Sequence, residues 1–325
     1  MPCLGLFRPE VISIFDTHDI VMFTETWSNE SKIKCTNFQH FCLHRERRKN
    51  CKRDSSGIII YIKDTCVNDK SLFFKSEDNI LWLRLDIFFL DNDLFIGLCN
   101  VVPESSGRFN LQVQNVFDRL LNSVSLIYNY TDGHCNIILS GDFNSRTCDC
   151  SDCIDYDLDN DLLLLPDNYV FDISRPRCSQ DKGHTSNGTA FVDFCKQTSL
   201  RILNHRCAED ADIVKYTFIG SRGCSLVDYV LVSESIFDLI SSFTVHDPNS
   251  LSDHCLIDYT FENSVSIGTT DLLREVNIEN DNYEEVSSKY KCKSERSDSF
   301  INAINDKINT LTNFTNTCAS GDDPY

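Results

Sequence analysis

Asp142 and Asn144 stand two residues apart where an apolar run ends, in "NIILSGDFNSR" (136–146). Side chains two apart on a strand share a face. A carboxylate and an amide can therefore project together and hold a metal, a water or a phosphate oxygen. Gly, Asp and Asn are also ordinary turn residues, so this stretch alone does not choose. Three further strand-like runs carry a polar group at or beside an end. They are Glu25 in "DIVMFTETW" (19–27), Asp228 in "LVDYVLVS" (226–233), and the Asp253–His254 pair in "SDHCLIDYTF" (252–261). Each has a plain structural explanation as a strand end, a satisfied core polar group or a cap. Together they supply carboxylates, an amide and a His–Asp pair, a complete set for phosphodiester hydrolysis. That chemistry uses a divalent metal to neutralise charge on the phosphate, and hard oxygen ligands suit Mg²⁺. It also needs a group on the attacking water and donors aimed at the phosphoryl oxygens. A His oriented by a carboxylate is such a donor.

The elements that would position these groups alternate between strand and helix. "GIIIYIK" (57–63) is a β-branched run after a Ser-Ser-Gly turn. "ILWLRLDIFF" (80–89) alternates, with Leu81, Leu83, Leu85, Ile87 and Phe89 on one face, and should form a hairpin with "LFIGLCNVV" (94–102) across "DND". Val113, Val116, Phe117, Leu120, Leu121 and Val124 recur at helical spacing. "GTAFVDFCKQ" (188–197) reads as a helix, "LRILN" (200–204) as a strand, and the acidic stretch 149–167 as a surface loop. The pattern predicts an α+β layered fold without solenoid repeats. Residues 263–325 turn acidic, and Phe300, Ile304, Ile308 and Leu311 share one helical face. An acidic linker plus an amphipathic helix is expected there, outside a main domain of residues 1–262.

Composition narrows the class. With 325 residues and 41% hydrophobic content, the chain can bury a sizeable core. No apolar run is long enough to span a bilayer. "MPCLGLFRPE" lacks a basic start followed by an apolar stretch. An intracellular protein, nuclear or cytoplasmic, with no membrane partner is expected. The 17 Cys then read as reduced thiols. Cys148, Cys150 and Cys153 have no fourth ligand nearby for zinc. A formal net charge of −19 argues against a non-specific nucleic-acid binder. The basic run "HRERRKNCKR" (44–53) is either a solvated loop or a local phosphate-facing patch.

The ordered set "TETW", "SGDFNSR", "SLVDYVLVS" and "SDHCLIDY" resembles the endonuclease/exonuclease/phosphatase superfamily. The resemblance is closest to the apurinic-like endonuclease domain of LINE-type (non-LTR) retrotransposons. "NGTAFVDFCKQTSLRILNHR" and "YTFIGSRGCSLVDYVL" resemble the later half of that domain. It implies a DNase I-like four-layer α/β sandwich, with two mostly antiparallel sheets flanked by helices. It implies cleavage of DNA with Mg²⁺, or Mn²⁺ in its place, and no obligate protein partner. Carried over by position, Glu25 becomes the principal metal ligand and Asp253 lies at the metal end. Asp142 positions or deprotonates water, Asn144 binds the scissile phosphate, and His254 contacts that phosphate, held by Asp228. Thr217 in "KYTF" and Arg222 in the loop 219–225 fall at DNA-facing positions.

Two features depart from that pattern. The family's first strand carries an Asn, and "MPCLGLFRPE" lies too close to "TETW" to supply it, as in an N-terminally truncated copy. Asn100 stands where the family has a Tyr near the phosphate. The alternatives are a catalytically degenerate binding domain, or a superfamily phosphatase.

Overall fold

A computed structural model describes residues 9–26, 35–43, 57–67, 72–76, 80–85, 90–104, 109–154, 172–207, 215–221 and 223–261. The basic run 44–53 and the helix expected around 300–311 lie outside the described residues.

The centre is a six-stranded sheet. Its strands are β4 (Leu72–Ser76), β5 (Ile80–Leu85), β6 (Leu94–Asn100), β7 (Asn136–Asp142), β8 (Leu200–Ile202) and β11 (Asp228–Ser233), in the order β4-β5-β6-β7-β11-β8. Only β6 and β7 pair in parallel. They are joined through α2 (Phe109–Tyr130), because a parallel pair needs a crossover. The β5–β6 hairpin forms as its turn signal predicts.

Both faces of this sheet are covered. On one face Ile80, Trp82, Ile137, Leu139 and Leu231 pack against Phe117, Leu120 and Val124 of α2 and Phe191 and Phe194 of α3 (Ser186–Thr198). On the other, Leu81, Leu83, Ile96, Leu98 and Val230 meet Ile58, Ile60 and Ile62 of β3 (Ile58–Lys63). Phe243 and Val245 of β12 (Ile240–Val245) join that core, backed by its partner β13 (Ile257–Phe261). The alternation puts Leu81, Leu83 and Leu85 on one face, as found, but Ile80 and Trp82 on the other face are buried too, because the sheet is covered on both sides.

β3 lies between β1 (Ile20–Phe23) and β2 (Phe38–Leu43). Its other face, Ile59 and Tyr61, packs on Val11 and Phe15 of α1 (Pro9–Thr17). Helix, sheet, sheet and helix thus stack in four layers, the expected DNase I-like α+β sandwich. Among the described residues no helix is long and apolar enough to cross a membrane.

Some elements escaped the sequence reading. β12 was hidden because a register shift between Ile240 and Ser242 breaks its alternation. The acidic stretch 149–167 is not simply a surface loop: Asp152 is 0% exposed. It accepts two bonds from Arg206 (2.6 and 2.7 Å) and one from the Ile202 N–H (2.7 Å). Residues 155–167 lie outside the described residues.

Candidate active site at the ends of the central strands

β6, β7 and β11 end in one row. Asn100 is the register partner of Asp142 across the parallel pair, and Asp228 is its partner across the antiparallel pair. Three polar side chains thus sit side by side where the apolar strands stop. Gly141 permits this closeness: a Cβ there would lie 2.0 Å from the Cys99 carbonyl oxygen.

Asp142 is buried at 2% exposure. Its Oδ1 accepts from the Asn144 N–H (2.9 Å) and its Oδ2 from the Asn144 amide (2.7 Å). The same amide nitrogen donates to the Val101 carbonyl (2.8 Å), so both of its hydrogens are engaged. Asn144 adopts φ +47°, a left-handed conformation that Asn tolerates better than most residues. Here it orients the Asp142 carboxylate. Asp142 is pushed well above the usual carboxylate range, first by burial and then by the facing Asp228 carboxylate, with Glu25 adding to the effect.

Asp228 and His254 form the second pair. The His254 Nδ1–H bonds both Asp228 oxygens, at 2.8 and 3.1 Å. Burial alone would lower the imidazole pKa. The Asp228 hydrogen bond and charge, then Asp142 and Glu25, prevail and push it up to about 9. The imidazolium is therefore the resting form at neutral pH. The His254 N–H donates to Ser252 Oγ (3.0 Å), and the Phe218 ring meets the imidazole edge-on at 5.1 Å.

Ligand atoms of Asp142, Asp228 and His254 lie within 4.8 Å of one another, the one such group among the described residues. The Cys148, Cys150 and Cys153 thiols are not part of this group. Glu25 and Asp253, both exposed, stay outside this cluster. Glu25 follows β1 at φ +52° and acts on Asp142 and His254 through its charge. Asp253 contributes its carbonyl to the Ile219 N–H (2.8 Å).

Residues 109–258 match the endonuclease-reverse transcriptase family. Three solved structures share the fold. An AP endonuclease from Leishmania major is 16% identical, with 80% of this chain and 85% of that chain covered and a TM-score of 0.56. A 3′-5′ exonuclease from Neisseria meningitidis is 16% identical over 80% and 96%, TM-score 0.53. A Neisseria 3′ phosphatase bound to a product DNA hairpin is 15% identical over 78% and 93%, TM-score 0.51. The family match is confined to residues 109–258, and the three solved structures show likeness of fold. No curated protein matches it.

Within this endonuclease-related segment lie Asp142, Asn144, Thr217, Asp228, Asp253 and His254; Glu25 precedes it. The structure corrects the expectation for Thr217. It is 0% exposed, so it cannot face DNA. Its Oγ1 accepts from the Val227 and Asp228 N–H groups, both at 3.0 Å. A buried hydroxyl must find polar partners, and here it pins the start of β11 beneath Asp228. The hairpin of β9 (Phe218–Gly220) and β10 (Gly223–Ser225) forms beside the site, and Arg222 at its turn lies outside the described residues. Two residues beside the site lie in the quoted motifs, which assign them no role. Phe218, in β9, pairs with Ser225 and bridges to His254. Asn187, fully buried, donates its amide to the Asn144 carbonyl (3.3 Å).

Proposed function

We propose that this chain is a metal-dependent endonuclease that hydrolyses DNA phosphodiester bonds, derived from a retrotransposon. The observation that carries the reading is the convergence of the Asp142–Asn144 and Asp228–His254 pairs at adjacent strand ends. The family match over residues 109–258 supports it.

The residues present fit a hard cation. The buried Asp142 carboxylate and the half-buried Asp228 carboxylate face each other across their strand pair, and their mutual repulsion is what a cation would relieve. Mg²⁺, or Mn²⁺ in its place, would be held by Glu25 and Asp253, beside the Asp142 carboxylate. When bound, it supplies charge neutralisation at the phosphate.

The chain's own groups divide the remaining work. Asp142, steered by Asn144, accepts the hydrogen bond of the attacking water and draws its proton. The His254 imidazolium, held by Asp228, donates to a phosphoryl oxygen and stabilises the charge that grows there. Asn144 reaches the scissile phosphate only if its amide exchanges one of its two present acceptors. DNA is the substrate in this reading, with Arg222 on the hairpin turn as a backbone contact.

The test is nicking of supercoiled plasmid by the purified chain, with Mg²⁺ and with EDTA, beside Asp142→Ala and His254→Ala. The expected result is Mg²⁺-dependent nicking that both variants lose. A folded protein that leaves the plasmid supercoiled would overturn the proposal in favour of a non-catalytic binding domain.

A further inference from the structure

Asp181 sits in the segment before α3, away from the cleavage centre, yet its carboxylate is only 2% exposed. Arg146 Nε donates to both of its oxygens, at 3.1 and 2.9 Å, and Arg146 Nη2 adds a further bond to Oδ1. The Gly183 N–H donates to Oδ1 (2.9 Å) and the Leu226 N–H to Oδ2 (2.9 Å). Burial would raise this carboxyl, but Arg146 and the two amides hold it below the usual range.

Where those partners lie matters more than their number. Arg146 belongs to the stretch that leaves β7 just after Asp142 and Asn144. Leu226 belongs to the stretch that leads into β11 just before Asp228. One buried carboxylate therefore ties together the two chain segments whose ends carry the facing carboxylates. The surrounding segment is laced to the same place. The Thr185 N–H bonds the Arg146 carbonyl (3.1 Å), and Thr185 Oγ1 accepts from the Arg146 N–H (3.2 Å). Gly183 leaves room for the guanidinium: a Cβ there would lie 2.0 Å from the Arg146 guanidinium carbon and would push that side chain aside.

Asp142 and Asp228 face one another as register partners at this end of the strand pair. Just past the strand ends the Phe143 N–H donates to the Val227 carbonyl (3.0 Å), and the Tyr229 hydroxyl sits between the Ser145 and Leu226 carbonyls (2.9 and 3.1 Å); Asp181 adds the charged tie beyond these neutral bonds. We propose that Asp181 is a positioning residue for the cleavage centre: it clamps the β7 exit to the start of β11 and sets the spacing between Asp142 and the Asp228–His254 pair. The inference deepens the endonuclease reading and rests on it for its kinetic consequence.

The test uses Asp181→Asn, which keeps one acceptor and the side-chain volume while losing the charge that grips Arg146. Arg146→Gln attacks the same clamp from the β7 side. Lys182→Ala, which removes only an exposed pair with Asp149 on the neighbouring residue, is the control. Two readouts are taken. The first is the ¹⁵N imidazole signals of His254 in metal-free protein, assigned with His254→Gln. The second is plasmid nicking, resolved into kcat and KM. In the clamp variants the His254 signals should move, and kcat should fall about 10- to 100-fold with KM within about 3-fold, as expected for misplaced rather than missing groups. Lys182→Ala should change neither. A folded Asp181→Asn with wild-type imidazole signals and wild-type kcat would overturn the proposal. If Asp181→Asn does not fold, Arg146→Gln decides by the same two readouts. If the wild-type chain does not nick, the endonuclease reading fails on its own, and the imidazole signals still judge the clamp.

Discussion

Asp142 and Asp228 are direct register partners on neighbouring antiparallel strands, and both carry their carboxylates at the same end of the central sheet. Like charges directly opposite one another destabilise a strand pair. The fold bears this cost at one spot, beside an imidazolium and within reach of Glu25.

A cation should therefore stabilise the folded chain. Mg²⁺ at about 100 times its Kd should add about 2.7 kcal/mol to unfolding free energy. Thermal melting in Mg²⁺ against EDTA measures this, and Asp142→Asn should reduce the difference. An unchanged midpoint at saturating Mg²⁺ would argue against a metal centre here.

Asp228 and His254 should act as a unit. Asp228→Asn leaves the imidazole without its anionic partner, and kcat should fall by about 10² or more. His254→Ala should lose at least as much, and the double variant little beyond His254→Ala alone. Additive losses in that cycle would show that the two residues work separately.

Asp152 should matter for folding rather than cleavage. It is fully buried against Arg206, itself 4% exposed at the side chain. Asp152→Ala would leave that guanidinium without its carboxylate and cost about 3–5 kcal/mol. Urea unfolding checks the figure. A loss below about 1 kcal/mol would mean the segment relaxes to re-pair the arginine.

His205 supplies a pH dependence of folding stability. It is 4% exposed, and burial, helped by the Arg177 charge, lowers its pKa from 6.5 to about 4. The unfolded chain takes up a proton near pH 6.5, whereas the folded chain resists until about 4. Its contribution is therefore present above pH 6.5 and is lost as the pH falls toward 4, by up to about 3 kcal/mol. His205→Gln should flatten that part of the stability profile, whatever it does to the plateau.

Legibility in the sequence followed the range of the interactions. The helical period of α2 and the β-branched run of β3 were plain, because side-chain period is local. The His254–Asp228 bond followed from the motif resemblance, and the structure forms it at 2.8 Å. β12 was lost to a one-residue register shift, since a slip of one reverses every face. Thr217 looked like a surface position because nothing local reveals that its hydroxyl turns inward to two backbone amides.

By itself, the sequence determined the order of the strand-ending motifs and the residue types each would present. Those follow from composition and from periods of two and 3.6 residues. Only the tertiary structure decided that Asn100, Asp142 and Asp228 share one row, that Asp152 is a buried charge, and that Asp181 joins two strand ends. Each depends on which strands pair and in what register. That choice is made by burying both faces of the central sheet at once, an energy that no short segment carries alone.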